Sequence, residues 1–132
     1  MEQRPPVPVP VLVKTFQLPP EENEIAPALV VLSPDKTTVG LASHDDNIYL
    51  YRIPSVTDNV DTLQLIRTLT GYDTPVSCAT FSPNGKRLCS GHLDSVRVWD
   101  TETGECMHVL QQGNNYIGSV VFSPDGLTIY AA

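Results

Sequence analysis

The sequence predicts an all-β protein, a partial β-propeller built of four-stranded antiparallel blades. The first observation is a repeat: a Ser-Pro-Asp or Ser-Pro-Asn turn follows an apolar strand pattern at Ser33, Ser82 and Ser123, which lie 49 and 41 residues apart. The second observation is that short strand patterns, separated by turn residues, fill the first two intervals. Four short strands in a period of about 40 to 45 residues are typical of propeller blades.

Two segments precede the first repeat. Residues 1–10 are rich in proline, which predicts an extended, flexible tail, and their PxxP spacing leaves a ligand for a proline-recognising domain as an alternative. Residues 11–18 have an apolar strand pattern, and we expect this strand to close another blade of the ring. The predicted propeller segment therefore covers residues 11–132.

Blade one is expected at about residues 27–70 and blade two at about residues 75–111. Their strand patterns lie at 28–32, 39–42, 48–51 and 63–69 in blade one, and at 76–81, 86–90, 96–99 and 106–110 in blade two. Asn84 and Gly85 tolerate positive φ, which predicts a two-residue hairpin turn in blade two. Residues 116–132 carry only two strand patterns, so we expect blade three to be incomplete.

The second blade resembles a repeat of the WD-repeat family, because Trp99-Asp100 ends its third strand. In that family a His after a loop glycine, a Ser or Thr on the second strand, an Asp in the following turn and the Trp form a hydrogen-bonded set that stabilises each blade. The resemblance implies that Ser90, Asp94 and Trp99 occupy three of these positions. Tyr72 stands where the His is expected.

The other two repeats depart further from the family pattern. In blade one Asp45 matches the turn Asp, while Leu41 and Tyr51 replace the Ser or Thr and the Trp. The third repeat has Gln112-Gly113 where Gly-His is expected and Ala131 at the Ser position. We therefore expect these two blades to be held mainly by packing.

The resemblance implies a non-enzymatic scaffold that binds protein partners through loops at one rim of the ring. The candidate partner-binding residues are those of the rim loops: Tyr72, Asp73, His92, Leu93, His44, Asp46, Asn114 and Asn115. Tyr72 and Leu93 are the expected anchors, because large side chains dominate the energetics of interfaces.

Composition limits the classes of partner. The formal net charge is -7 with only 8 Lys and Arg residues, which argues against sequence-independent binding to nucleic acid or to an anionic membrane. Three cysteines without framework spacing favour a reducing compartment. The N-terminal residues lack the apolar core of a signal peptide, so we expect a cytoplasmic protein, with the nucleus as the alternative.

No catalytic residue and no cofactor are predicted. His44, His92 and His108 lie in no recognised metal or nucleophile spacing, and the pair Cys89 and His92 cannot alone fill a four-ligand zinc site. Two alternatives stay open. Ser-Pro-Asp-Gly turns also occur in lactonase-type propeller hydrolases, and residues 43–51 resemble a blade of the echinoderm microtubule-associated-protein-like family, whose members bind tubulin.

We expect the chain to be a portion of a larger propeller that is cut short at its C-terminus, because a ring usually holds four to eight blades. The competing interpretation is that several copies share strands to close a ring. In either case open blade edges would favour self-association.

Overall fold

The computed structural model describes residues 5–6, 18, 27–55, 57, 60, 62–70, 74–111 and 116–132. In these residues the chain forms ten strands and no helix. They are β1 (Pro27–Leu32), β2 (Thr38–Ser43), β3 (Ile48–Arg52), β4 (Gln64–Leu69), β5 (Cys78–Phe81), β6 (Arg87–Gly91), β7 (Ser95–Asp100), β8 (Cys106–Gln111), β9 (Val120–Phe122) and β10 (Ile129–Ala131). No described segment forms a helix of the length and hydrophobicity that a membrane span requires.

The strands form three antiparallel sheets in sequence order. Strands β1 to β4 make one four-stranded sheet, strands β5 to β8 make a second, and β9 pairs with β10. Sequential antiparallel pairing by short connections is the arrangement that the repeat predicted, and it confirms the all-β fold of four-stranded blades. We call the three sheets blade one, blade two and blade three.

The three Ser-Pro turns have one geometry. In the second repeat, the Ser82 hydroxyl donates to Asn84 Oδ1 at 2.8 Å and accepts from the Arg87 amide at 3.0 Å, while the Gly85 amide donates to the Ser82 carbonyl at 2.9 Å. The same bonds recur from Ser33 and Ser123. In each repeat the serine amide also donates to the carbonyl of the residue five positions later, so the serine side chain reinforces a backbone-paired turn.

The predicted two-residue hairpin at Asn84 and Gly85 is wrong. The connection between β5 and β6 contains five residues, 82–86, and only Gly85 among them has positive φ, at 71°. The fourth residue of the turn adopts this conformation in every repeat, since Lys36 has φ 64° and Gly126 has φ 74°.

The blades stack face to face, and apolar side chains from both faces of blade two fill the space between them. On one face Phe81, Leu88 and Trp99 pack against Ile48 and Leu50 of blade one. On the other face, Cys89 and Val96 pack against Ile117 and Val120. Burial on both faces explains why the strands of blade two lack an alternating polar face.

The outer face of blade one carries a third cluster, made by Val39, Leu41, Tyr51 and Leu63. Leu18, which is partly buried, packs against this cluster. The prediction that residues 11–18 close another blade otherwise lies outside the described residues, as does most of the predicted tail at residues 1–10.

Candidate functional site

A chain of hydrogen bonds crosses blade two at the end where β6 turns into β7. The Trp99 indole Nε1 donates to Ser90 Oγ at 2.9 Å. Ser90 Oγ lies 2.9 Å from His92 Nε2, and His92 Nδ1 lies 3.3 Å from the Thr74 carbonyl oxygen. The side chains of Ser90 and His92 are fully buried and Trp99 is 1% exposed.

The chemistry of the two ends fixes the direction of the outer two bonds. An indole nitrogen can only donate and a carbonyl oxygen can only accept. The Ser90 hydroxyl therefore accepts from Trp99, and His92 Nδ1 donates its proton to the Thr74 carbonyl. In a neutral ring Nε2 carries no proton, so it accepts the single proton of the Ser90 hydroxyl.

Burial reinforces this neutral state. It lowers the pKa of His92, because a charged ring would lose its hydration inside the blade. The hydrogen bond to the Thr74 carbonyl and the nearby carboxylates of Asp94 and Asp46 oppose this effect on the pKa, whereas Arg97 adds to it. A protonated ring would donate from both nitrogens and leave the Ser90 proton without an acceptor.

The position of the His92 side chain therefore differs from the one expected from the sequence. His92 was predicted on the partner-binding rim, but its side chain is fully buried and cannot contact a partner in this structure. The β6–β7 turn is tight, with the His92 amide donating to the Ser95 carbonyl at 2.8 Å, and it directs the ring back over Ser90. The sequence held a signal for this, because side chains two residues apart on a strand share a face.

Two members of the predicted hydrogen-bonded set, Asp94 and Tyr72, are not seen in the described part of the hydrogen-bonded chain of Trp99, Ser90 and His92. Asp94 is exposed in the β6–β7 turn. Tyr72 lies outside the described residues, so its predicted place in the set stays a prediction. The imidazole that meets Ser90 comes from the β6–β7 turn, where the family pattern has its Asp.

In blade one Asp45 organises its own turn. Its carboxylate accepts from the Asn47 amide at 3.0 Å and from the Tyr49 hydroxyl. Partial burial alone would raise the pKa of Asp45, but the hydrogen bonds from Tyr49 and Asn47 outweigh it and lower the pKa. Tyr51, at the Trp position, is fully buried within the outer cluster of blade one.

The rim has an exposed apolar pair. Leu93 is 56% exposed, and Tyr116, which the sequence analysis missed, is 65% exposed. The Ile117 amide donates to the His92 carbonyl at 3.4 Å, so the backbone next to Tyr116 joins the backbone next to Leu93. The sequence did contain a signal for this rim residue, because Tyr116 is a large aromatic residue that lies just before the third repeat.

The structure describes only some of the other candidate rim residues. His44 is exposed, and Asp46 is half-buried with φ 69°. The remaining predicted positions, Asp73, Asn114 and Asn115, lie outside the described residues.

The Cys89 and His92 pair does not form a ligand set. Ser90 bonds to Trp99, which packs against blade one, and His92 bonds to Ser90, whereas Cys89 lies in the cluster that faces blade three. Burial raises the pKa of Cys89 to about 12, which keeps its thiol protonated. Within the part of the chain that the structure describes, no group of three or more His, Cys, Asp or Glu side chains is arranged to hold a metal ion.

Comparison with known proteins supports the WD-repeat resemblance. The sequence model of the family described as "WD domain, G-beta repeat" matches residues 63–100. This match begins beside β4 of blade one and ends with β7 of blade two, so the sequence repeat spans the junction of two blades.

Several curated relatives share this region. The chain is 31% identical over 70 residues to the Transcriptional corepressor LEUNIG_HOMOLOG of Arabidopsis thaliana, covering 53% of this chain and 9% of the relative. It is 39% identical over 70 residues to the Nuclear distribution protein PAC1 of Arthroderma benhamiae, covering 46% of this chain and 15% of the relative. It is 48% identical over 50 residues to the F-box-like/WD repeat-containing protein TBL1X of Mus musculus, covering 36% and 10%.

Fold and sequence together define an all-β chain of the propeller class, with two four-stranded blades and a third sheet of two strands. Residues 63–100 match one repeat of the WD domain, G-beta repeat family, and the relatives named above carry similar sequence. The chain spans less than a fifth of the length of these relatives.

Proposed function

We propose that this chain is a non-enzymatic scaffold segment that binds protein partners through its rim. The observation that carries the proposal is the exposure of Leu93. This large apolar side chain lies in a tight turn and is 56% exposed. The relatives described as a transcriptional corepressor and as a nuclear distribution protein support it, since neither description names a reaction.

Hydrogen bonds fix the turn that contains Leu93. The preceding His92 is fixed by its backbone bond to Ser95 and by its ring bonds to Ser90 and Thr74. An anchor that is already ordered loses little conformational entropy when a partner binds. In this proposal His92 positions the contact residue and does not itself touch the partner.

The proposed rim surface includes His44, Asp46 and Leu93 among the described residues. From the sequence we also assign to it Tyr72, Asp73, Asn114 and Asn115. We place the scaffold in the cytoplasm or nucleus, which is the expectation from its cysteine content.

Self-association is a further part of the proposal. Val30 and Leu32 on β1, and Val121 and Tyr130 on β9 and β10, are each at least half exposed. Apolar strand residues of this kind favour contact with another sheet. Light scattering over a range of concentrations tests this part: a molar mass that stays at 14.4 kDa throughout would contradict it.

The rim proposal is tested by comparing two exposed leucines at opposite ends of the blades. Leu93 lies in the β6–β7 turn, whereas Leu127, which is 85% exposed, lies in the β9–β10 turn. Proteins that co-purify with the chain are quantified by mass spectrometry for the unchanged chain, Leu93→Asp and Leu127→Asp. We expect Leu93→Asp alone to lose partners.

Thermal unfolding followed by circular dichroism serves as the control for folding. Both leucines are exposed, so both variants are expected to melt like the unchanged chain. If Leu93→Asp retains every partner, or if Leu127→Asp loses the same ones, the rim is not the binding surface.

A further inference from the structure

We propose that the rim takes a partner segment that combines an apolar side chain with Lys or Arg, and that Tyr116 and Leu93 together hold the apolar part. This inference rests on the proposed function, because it names the chemistry of the partner at that surface. It extends the surface from the turn of blade two to the segment that enters blade three.

The apolar part of the surface is formed by Leu93 and Tyr116, whose neighbouring backbone segments are bonded to each other. Beyond the bond between Ile117 and His92, the Ser77 hydroxyl lies 3.0 Å from the Gly91 carbonyl oxygen and also contacts the Ile117 carbonyl oxygen. The backbone near Leu93, at Gly91, and the backbone next to Tyr116, at Ile117, therefore both contact the hydroxyl of Ser77. Leu93 and Tyr116 stay exposed although the residues beside them, His92 and Ile117, are buried.

The charged part of the surface is acidic. Asp46 in the β2–β3 turn of blade one and Asp94 in the β6–β7 turn of blade two lie at the same end of neighbouring blades. Both carboxylates also act electrostatically on the ring of His92. Asp45 is exposed in the same turn as Asp46. The described cation that acts on this ring is Arg97, and it is half-buried on β7.

Because His92 is neutral, the described rim carries more negative than positive charge, in a chain whose formal net charge is -7. Complementary charge selects partners and speeds their association. A basic segment with an apolar side chain fits this surface, and an acidic segment would meet repulsion.

The opposite end of the blades offers a comparison. A groove of about 590 Å³ lies between the Ser82 and Ser123 turns. Its lining mixes charges of both signs, with Lys86 and Arg87 beside Asp100, Glu102 and Asp125. It therefore does not favour one sign of partner charge, and we do not assign this partner to it.

The test is selection from a library of random dodecapeptides displayed on phage, using the immobilised 132-residue chain and bare support as the control. We expect the enriched peptides to pair Lys or Arg with Leu, Phe or another large apolar residue. Enrichment of acidic peptides, an absence of charge bias, or no enrichment over the bare support would each overturn the inference.

The surface is tested with the same peptides, labelled with fluorescein and titrated with variant chains by fluorescence anisotropy. We expect Tyr116→Ala and Leu93→Ala, which remove apolar surface without changing the charge of the rim, each to weaken binding about tenfold, as is typical of interface anchors. Asp94→Asn is expected to weaken binding about threefold and to reduce its dependence on salt. Leu127→Ala is the matched control and should bind as the unchanged chain does.

The outcomes separate the two proposals. Peptides that require Leu93 but are acidic or neutral would overturn the charge inference and leave the rim as the partner surface. Peptides that ignore Tyr116 but require Leu93 would remove Tyr116 from the surface. If neither the peptides nor the co-purifying proteins depend on Leu93, the proposed function itself fails.

Discussion

Ser90→Ala removes the group that joins both halves of the buried hydrogen-bonded chain. The Trp99 indole N–H loses its acceptor and His92 Nε2 loses its donor, and both side chains are at most 1% exposed, so water cannot easily replace the lost partner. Each buried polar group left without a partner costs about 1–3 kcal/mol. The two together predict a loss of about 2–6 kcal/mol in the free energy of unfolding.

Ser95→Ala is the matched control. Ser95 is also a buried serine of blade two, but its hydroxyl has no hydrogen-bond partner among the described residues. Removing an unpaired buried hydroxyl relieves a desolvation cost, so we expect this variant to be within about 0.5 kcal/mol of the unchanged chain, or more stable.

The assay is urea unfolding followed by tryptophan fluorescence. Trp99 is the single tryptophan of the chain and it lies within the hydrogen-bonded chain itself, so its emission reports on blade two. A Ser90→Ala variant whose free energy of unfolding matches that of Ser95→Ala would refute the argument that the network stabilises the blade.

Three further predictions concern blade two. Because burial lowers the folded-state pKa of His92 below about 6.5, the unfolded state binds more protons as pH falls through that value. The free energy of unfolding should then decrease from pH 7.5 to pH 5, and His92→Gln should lose less over this range; equal losses would contradict the account. Gly91→Ala places a methyl group 2.4 Å from Cys78 Sγ, and urea unfolding should show a loss of about 1–3 kcal/mol, whereas an unchanged midpoint would show that the junction has room. Iodoacetamide at pH 7.5 should alkylate the exposed Cys106 and leave the buried Cys89 unmodified by peptide mass spectrometry, and rapid labelling of Cys89 would contradict its burial.

The Ser-Pro turns show what the sequence could predict. Ser33, Ser82 and Ser123 mark the same place in three repeats, and the spacing between them was sufficient to predict short strands in antiparallel blades. The turn itself was predicted too short, because Asn84-Gly85 has the sequence of a two-residue hairpin. What distinguishes the observed turn is the Ser82 hydroxyl, which bonds to the Arg87 amide five residues later.

The site was predicted less completely, because it depends on contacts between distant segments. The resemblance implied that Ser90 and Trp99 belong to one set, and the structure contains a hydrogen bond between them. The burial of His92 depends on how tightly the β6–β7 turn closes, which the family pattern does not specify for this shorter turn. The segment that carries Tyr116 is joined to the turn that carries Leu93 by the bond between the Ile117 amide and the His92 carbonyl, a contact between residues 25 apart in the sequence.

Hydrogen–deuterium exchange with and without a peptide selected on the chain tests the rim most directly. We expect slower exchange at residues 92–95 and 116–118 when the peptide is bound, and unchanged exchange at the Ser123 to Gly126 turn at the opposite end. Protection at that opposite turn with none at residues 92–95 would contradict the claim that this segment binds its partners through the rim.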